Sequence, residues 1–113
     1  MVDTNYISGV VKILENPRQV MTKKNNIPMT QFRAQLPQIR QTRIITLVFW
    51  GNLARDVVNY YKVNDYILIE GYISLRQGQK IETRSEMFKR IEITVLRIYP
   101  FLLNYNSKIS NLN

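Results

Sequence analysis

The residue types that drive covalent and metal chemistry are scarce in this chain, and those present are scattered. There is no His and no Cys among its 113 residues, which removes thiol nucleophiles, Ser-His-Asp triads, disulfides and the usual zinc ligand sets. The eight acids are Asp3, Glu15, Asp56, Asp65, Glu70, Glu82, Glu86 and Glu92. A magnesium nuclease needs carboxylates converging on one point and a glycosidase needs two flanking its bond, and this spread offers neither pattern. Glu82 and Glu86 stand four apart with Arg84 between them, as solvated loop charge does. The glycines, at positions 9, 51, 71 and 78, compose no phosphate-cradling loop. The sequence therefore predicts a protein that is not an enzyme and takes no metal and no cofactor.

What remains is charge and aromatic surface. Sixteen Lys and Arg against eight Asp and Glu leave a net charge of +8, an excess that in a small domain points to a polyanionic partner, nucleic acid first. An anionic membrane would call for a basic amphipathic helix or a long apolar run, and neither is present, so no membrane role is expected. Trp50 is the single indole; exposed, it would offer a flat π surface on which any base can stack. Met1-Val2-Asp3-Thr4-Asn5 has neither an apolar signal core nor an Arg/Ser-rich transit character, so the protein is expected to work where it is made. Abundant Ile, Asn, Tyr and Lys beside scarce Gly, Pro and Ala is the bias of an AT-rich genome, which points to an organelle.

These groups must be positioned by short strands. One domain is the size expectation, and an apolar share of 45% suffices for its core. Alternation marks a first strand over Tyr6 to Leu14 with Ile7, Val11 and Ile13 inward, and a second over Met29 to Leu36 with Thr30, Phe32, Ala34 and Leu36 inward. Asn16-Pro17 and the polar stretch Thr22 to Asn26 separate them as turn. Thr42 to Trp50, with Ile45, Leu47 and Phe49 on one face, is the third strand. After Gly51 the period becomes helical through Leu53, Ala54, Val57, Val58 and Tyr61, with Asn52 as N-cap and Asn64 as left-handed stop. Tyr66 to Arg76 is the fourth strand, bending at Gly71, and Lys89 to Tyr99 the fifth, ended by Pro100. A polar hairpin loop, Gln77 to Met87, joins the last two. Residues 1–103 are expected to form the domain and Asn104 to Asn113 a disordered polar tail. Three strands, one short helix, then two strands in a basic chain match the OB-fold: an all-β, five-stranded Greek-key barrel with its helix between strands three and four. An α+β sandwich of the same element order is the rival.

The run Phe49-Trp50-Gly51-Asn52-Leu53-Ala54, then Tyr60-Tyr61, then Tyr66-Ile67-Leu68-Ile69-Glu70-Gly71 resembles the hallmark segment of bacterial and organellar single-stranded DNA-binding proteins. Met87-Phe88-Lys89-Arg90 and Ile93 to Pro100 resemble the last strand of the cyanobacterial and plastid branch, and Asn16-Pro17 its first turn; with the AT-rich bias, this resemblance implies the plastid as the place of work, the bacterial cytoplasm being the alternative. The resemblance implies that Trp50, just before the Gly of the motif, stacks on a base. It also implies that the first strand is an edge able to pair protomers, hence a homo-oligomer, dimer or tetramer. Other members carry further aromatic residues where this chain has Ile44 and Arg76-Gln77-Gly78, leaving fewer stacking platforms here. The acidic tip through which bacterial members recruit replication enzymes has no counterpart, since Asn104 to Asn113 contains no acid.

Around Trp50, Arg33, Arg43, Tyr72 and Arg76 are read on the outward parity of strands two to four, and Lys23, Lys24, Arg40, Lys80 and Arg84 in the connecting loops. Together these would track a phosphate chain. The expected function is sequence-tolerant binding of single-stranded DNA in replication, repair or recombination. One aromatic platform on a basic face does not separate DNA from RNA, and a protein-binding adaptor is a third reading. Tyr6 and Tyr66 also point outward, toward a base or a subunit contact.

Overall fold

The computed structural model describes residues 5–24, 26–37, 43–75 and 91–103. Along the chain these form β1 (Tyr6–Ile13), β2 (Gln19–Met21), β3 (Pro28–Leu36), β4 (Arg43–Trp50), α1 (Asn52–Tyr60), β5 (Tyr66–Leu75) and β6 (Ile91–Leu102). Period-two alternation explains the five long strands: Val11 and Ile13, Phe32 and Ala34, Ile45, Leu47 and Phe49, Ile67 and Ile69, and Ile93 and Val95 are all buried. Each of these side chains except Ala34 contributes about 1.5–3 kcal/mol when removed from water. Phe32 and Phe49 stack at 5.3 Å between ring centres, and α1 adds Ala54 and Val57 to the same core.

The strands lie in the order β1-β5-β6-β4-β3-β2, and β1 pairs again with β3, closing the sheet into a barrel. Every barrel pairing is antiparallel except β4 with β6, which run parallel. This is the five-stranded OB barrel that the alternation predicts. The seam is short but well bonded. Lys12 and Ile13 pair with Gln35 and Ala34, the Leu14 N–H donates to the Arg33 carbonyl at 3.0 Å, and Ile13 exchanges bonds with Asp65 and Asn64 at 2.9 and 2.8 Å. The helix plugs one end of the barrel, where the buried Thr30 hydroxyl donates to the Ala54 carbonyl at 2.7 Å.

Four local expectations are corrected. The segment before the Thr22 turn is not plain loop: Gln19–Met21 adds β2 to the outer edge of β3. The helix thus falls between the fourth and fifth strands in chain order, though still between the third and fourth strands of the barrel. Asn52 does not cap the helix. Gly51 does so through its backbone, at φ 65 and without a side-chain bond, because the chain must turn sharply out of β4. Asn64 is left-handed at φ 76, but Tyr61, extended, ends the helix, and Asn64 belongs to the turn into β5. Pro100 does not stop the last strand, which runs on to Leu102; Pro100 faces Ile67 beside a register shift, where the ladder tolerates a missing donor. The expected loop 77–87 and tail 104–113 lie outside the described residues.

Gly71 meets its sequence expectation for a steric reason. A Cβ there would collide with the Thr94 backbone carbonyl, because β5 and β6 approach closely at a second register shift between Glu70 and Gly71. Gly9, by contrast, faces nothing within 4 Å. We expect Gly71→Ala to lower unfolding free energy by about 1–3 kcal/mol, the range for overpacking against atoms that cannot rotate away. Gly9→Ala should leave it unchanged or raise it by up to about 1 kcal/mol. Urea denaturation of both variants checks the contrast.

Candidate nucleic-acid interface

The outer wall of β3 and β4 is fixed by their register. Met29 faces Trp50, Gln31 faces Val48, Arg33 faces Thr46 and Gln35 faces Ile44, while the alternate pairs point into the core. Trp50 is therefore outward, with 46% of its surface exposed. Val48, also outward by parity, is buried. The sharp turn at Gly51, whose N–H donates to the Pro28 carbonyl at 2.9 Å, leaves the indole at the strand's end rather than beneath the helix.

β2 widens this platform. Val20 pairs with Met29 and Met29 with Trp50, so the three side chains form one apolar row across three strands. Val20 is exposed, and Met21 beside it is too. The ribbon is held at its tip by Thr22, whose hydroxyl donates to the Ile27 carbonyl and accepts from the Ile27 N–H, each at 3.1 Å. Asn26, left-handed at φ 55, donates its N–H back to the Thr22 carbonyl at 2.9 Å. That geometry carries Lys23 and Lys24, both exposed, beyond the end of the sheet on which Trp50 lies. A flat aromatic flanked by thioether and aliphatic surface, with two ammonium groups past its edge, suits a base stacked on the row and a phosphate at the tip.

Further along the wall, Arg33 is exposed but engaged. Its Nε lies 3.2 Å from Glu15 Oε1, its Nη2 donates to Oε2 at 3.3 Å, and its own backbone N–H donates to Oε1 at 2.7 Å. These bonds hold the Glu15 carboxyl below its ordinary pKa, the backbone bond first and the guanidinium bond second. Beside the pair lies a cleft of about 450 Å³ lined by Glu15, Asn16, Arg18, Gln31 and Phe32. Asn16 is pinned there by accepting the Val63 N–H at 3.0 Å.

The remaining expected residues divide. Tyr72 is outward but stands on β5, opposite Tyr6 on one side and Thr94 on the other, and Thr94 faces Val48. Two strand spacings, about 10 Å, separate Tyr72 from β4. Its ring packs edge-on against Tyr6 at 5.5 Å, and the Tyr6 hydroxyl donates to Glu70 at 2.6 Å, a bond that is the main reason its pKa is raised. Tyr66 lies under Lys12, whose ammonium sits 5.9 Å from the ring centre. Arg43 is a correction. It pairs with Leu36 and shares the core-facing parity of Ile45, Leu47 and Phe49, so it belongs to the barrel's rim and not to the outer wall. Arg40, Arg76, Lys80 and Arg84 lie outside the described residues; the strand ends their segments join, Leu36 with Arg43 and Leu75 with Ile91, pair with each other at the end of β4 away from Trp50.

The structure thus brings Trp50, Lys23 and Lys24 to one end of a wall and Arg33 farther along it. Sequence reasoning missed Val20 and Met29 as part of the platform. The only available signal was the short apolar pair Val20-Met21 between Pro17 and the Lys23 turn. It also missed Glu15, because nothing in the spacing brings residue 15 onto residue 33. Among the described residues no three acids gather as a metal site, and no helix is long and apolar enough to cross a membrane.

No protein-family model matches the chain. A Trieres chinensis protein provisionally named single-stranded DNA-binding protein ycf41 is 40% identical over 104 residues, spanning 88% of this chain and 91% of that protein. The thylakoid-associated single-stranded DNA-binding protein slr1034 of Synechocystis is 33% identical over 91 residues, spanning 76% and 67%. Among solved structures, a small single-stranded DNA-binding protein from Streptomyces coelicolor superposes with a TM-score of 0.70 at 17% identity, covering 90% of this chain and 96% of that one. The SSB domain of a Synechococcus protein does so with 0.68 at 20% identity, covering 88% and 98%. The structural likenesses establish the fold, and the sequence relatives establish the lineage: the chain belongs to the family of single-stranded DNA-binding proteins.

Proposed function

We propose that this protein binds single-stranded DNA without regard to sequence, covering exposed strands during replication, repair or recombination. The observation that carries the reading is the row Val20–Met29–Trp50 on the outer wall of an OB barrel, with Lys23 and Lys24 at its end. Bases stack on the row and phosphates follow the cations, an arrangement that gives affinity without reading base edges. The names of the two sequence relatives support the same ligand. Arg33, Arg40, Arg76, Lys80 and Arg84 extend the phosphate path in this reading. Tyr72 serves a strand that crosses onto β5 and β6. Binding, not catalysis, is the activity, and residues 1–103 carry it, with 104–113 as a tail. In this reading it works in the plastid, on that compartment's DNA, which its AT-biased composition and the thylakoid-associated relative support.

The functional unit in this reading is a homo-oligomer. Before Lys12, β1 pairs only with β5 among the described residues, which leaves one edge of the strand unused. The adjoining wall exposes Tyr6, Leu96, Tyr99, Phe101 and Leu102, a large apolar surface for a small barrel. Sedimentation velocity at micromolar protein should read a multiple of the 13.4 kDa chain mass; a 13.4 kDa species alone would remove this part of the proposal.

The decisive titration follows Trp50 fluorescence with oligo(dT) and oligo(U) at two salt concentrations. Strong quenching by oligo(dT) with salt-dependent affinity above that for oligo(U) is expected. Preference for oligo(U) would move the function to RNA, and no binding of either by fluorescence or by labelled oligomer would move it to protein recognition. Trp50→Ala should weaken oligo(dT) binding by about 1–3 kcal/mol while the salt slope stays put, because stacking releases no counterions. Replacing Lys23 and Lys24 together by Ala should also weaken binding at low salt but, unlike Trp50→Ala, should flatten the slope by up to about 1.4 for two phosphates.

A further inference from the structure

Arg33 lies on the proposed DNA-binding wall, yet its charge is already answered. The Glu15 carboxylate accepts two N–H groups from one residue, the backbone N–H at 2.7 Å and a guanidinium N–H at 3.3 Å, with the guanidinium Nε 3.2 Å away as an ion pair. Two oxygens set against a guanidinium fork is also the geometry in which arginine receives a phosphate. The carboxylate is carried there by the barrel's seam. Leu14 is the last residue bonded across it, donating to the Arg33 carbonyl, and Glu15 follows as β1 leaves the sheet, so its side chain meets the next donor that β3 presents. The Arg33 side chain is largely in water and the Glu15 side chain is half-buried, still well reached by solvent, so this pair is worth little in stability and can be exchanged for another anion at small cost. The cleft beside it opens onto Arg18 and Gln31, and Arg18 has no ion-pair partner among the described residues.

We propose that Glu15 occupies, in the free protein, the seat that Arg33 offers to a phosphate of the bound strand, so that Arg33 counts as a cation toward DNA only once Glu15 has been displaced. The inference rests on the single-stranded DNA-binding reading. The displaced state places a phosphate between the Arg33 guanidinium and the cleft carrying Arg18, and leaves the Glu15 carboxylate to water. Glu15 thereby lowers the affinity of the wall by about the worth of one phosphate contact. Protein and strand exchange faster than they would on an uncompensated wall.

The test is Glu15→Gln, which keeps the oxygen that accepts the Arg33 backbone N–H and removes only the charge. Asp56→Asn, on the exposed side of α1, adds the same unit of net charge away from the wall and serves as the reference. Labelled oligo(dT) is titrated over a salt series by anisotropy. Expected for Glu15→Gln is a slope of log K against log salt steeper by about 0.7, and affinity about fivefold higher near 0.1 M salt, which is that slope taken over one decade. Asp56→Asn should fall well short of both. In an Arg33→Gln background, Glu15→Gln should add no more than Asp56→Asn does. A parent that binds oligo(dT) while Glu15→Gln matches Asp56→Asn, or binds more weakly, overturns the seat and leaves the DNA-binding reading intact. The same holds if the gain survives in the Arg33→Gln background. A parent that binds no oligo(dT) overturns both together.

Discussion

Closure of the sheet on itself is the constraint on which the rest of this molecule depends. Five strands that alternate apolar and polar residues hide all their apolar faces at once here by curling until the last available edge meets the first. Here that meeting is only two residue pairs long, Lys12 with Gln35 and Ile13 with Ala34. It is made firm by the backbone bonds of Ile13 to Asp65 and Asn64 and of Leu14 to Arg33. Once closure is set, every odd residue of β4 from Ile45 to Phe49 is core, and Trp50, outward by parity and last in the strand, is surface. An aromatic at the end of a strand that could not be buried without breaking the barrel's parity is thus available to a ligand at no cost in core packing.

The same closure needs close approach somewhere, because a small barrel bends its strands sharply. Gly71 supplies it. The register shift between Glu70 and Gly71 leaves Leu96 outside the ladder and brings Ile98 rather than Arg97 toward the core. The bulge therefore reverses the parity of β6 partway along, and residues beyond it that simple alternation would bury, such as Tyr99 and Phe101, come out exposed. The apolar wall proposed as a subunit contact is a consequence of the bend that closes the barrel.

What could be read from the sequence follows from which residues were under a periodic constraint. The five barrel strands each hide one face, and their limits were legible to within a few residues: Tyr6, Trp50 and Tyr66 are true strand ends. β2 hides no face at all, with Gln19, Val20 and Met21 each exposed, so no alternation announced it; it exists because β3 presents an unpaired edge. Capping at the helix start was misread because Asn52 has a good capping side chain, whereas the exit from β4 demands a positive φ one residue earlier, which Gly51 meets. Pro100 was read as a stop because a proline lacks the N–H that a ladder uses, and only the bulge next to Ile67 makes that loss harmless. Arg43, expected on the outward parity, is in step with Ile45 instead, and its place at the start of β4 puts it at the rim, where a charge stays hydrated.

The candidate site was legible in its aromatic and not in its electrostatics, and the reason is physical. Whether Trp50 is exposed depends on strand parity, a local property. Whether Arg33 is an available cation depends on what stands beside it, and Glu15 arrives from eighteen residues away by way of the seam. A net charge of +8 says that a polyanion is welcome at a distance, because long-range steering sums all charges. Contact affinity does not sum them: it depends on which cations meet the strand without first releasing a carboxylate. Lys23 and Lys24, on a ribbon tip, belong to the first group by position, and Arg33 belongs to the second. A wall that holds part of its charge in reserve binds a polyanion less tightly than its composition implies and lets go of it more readily.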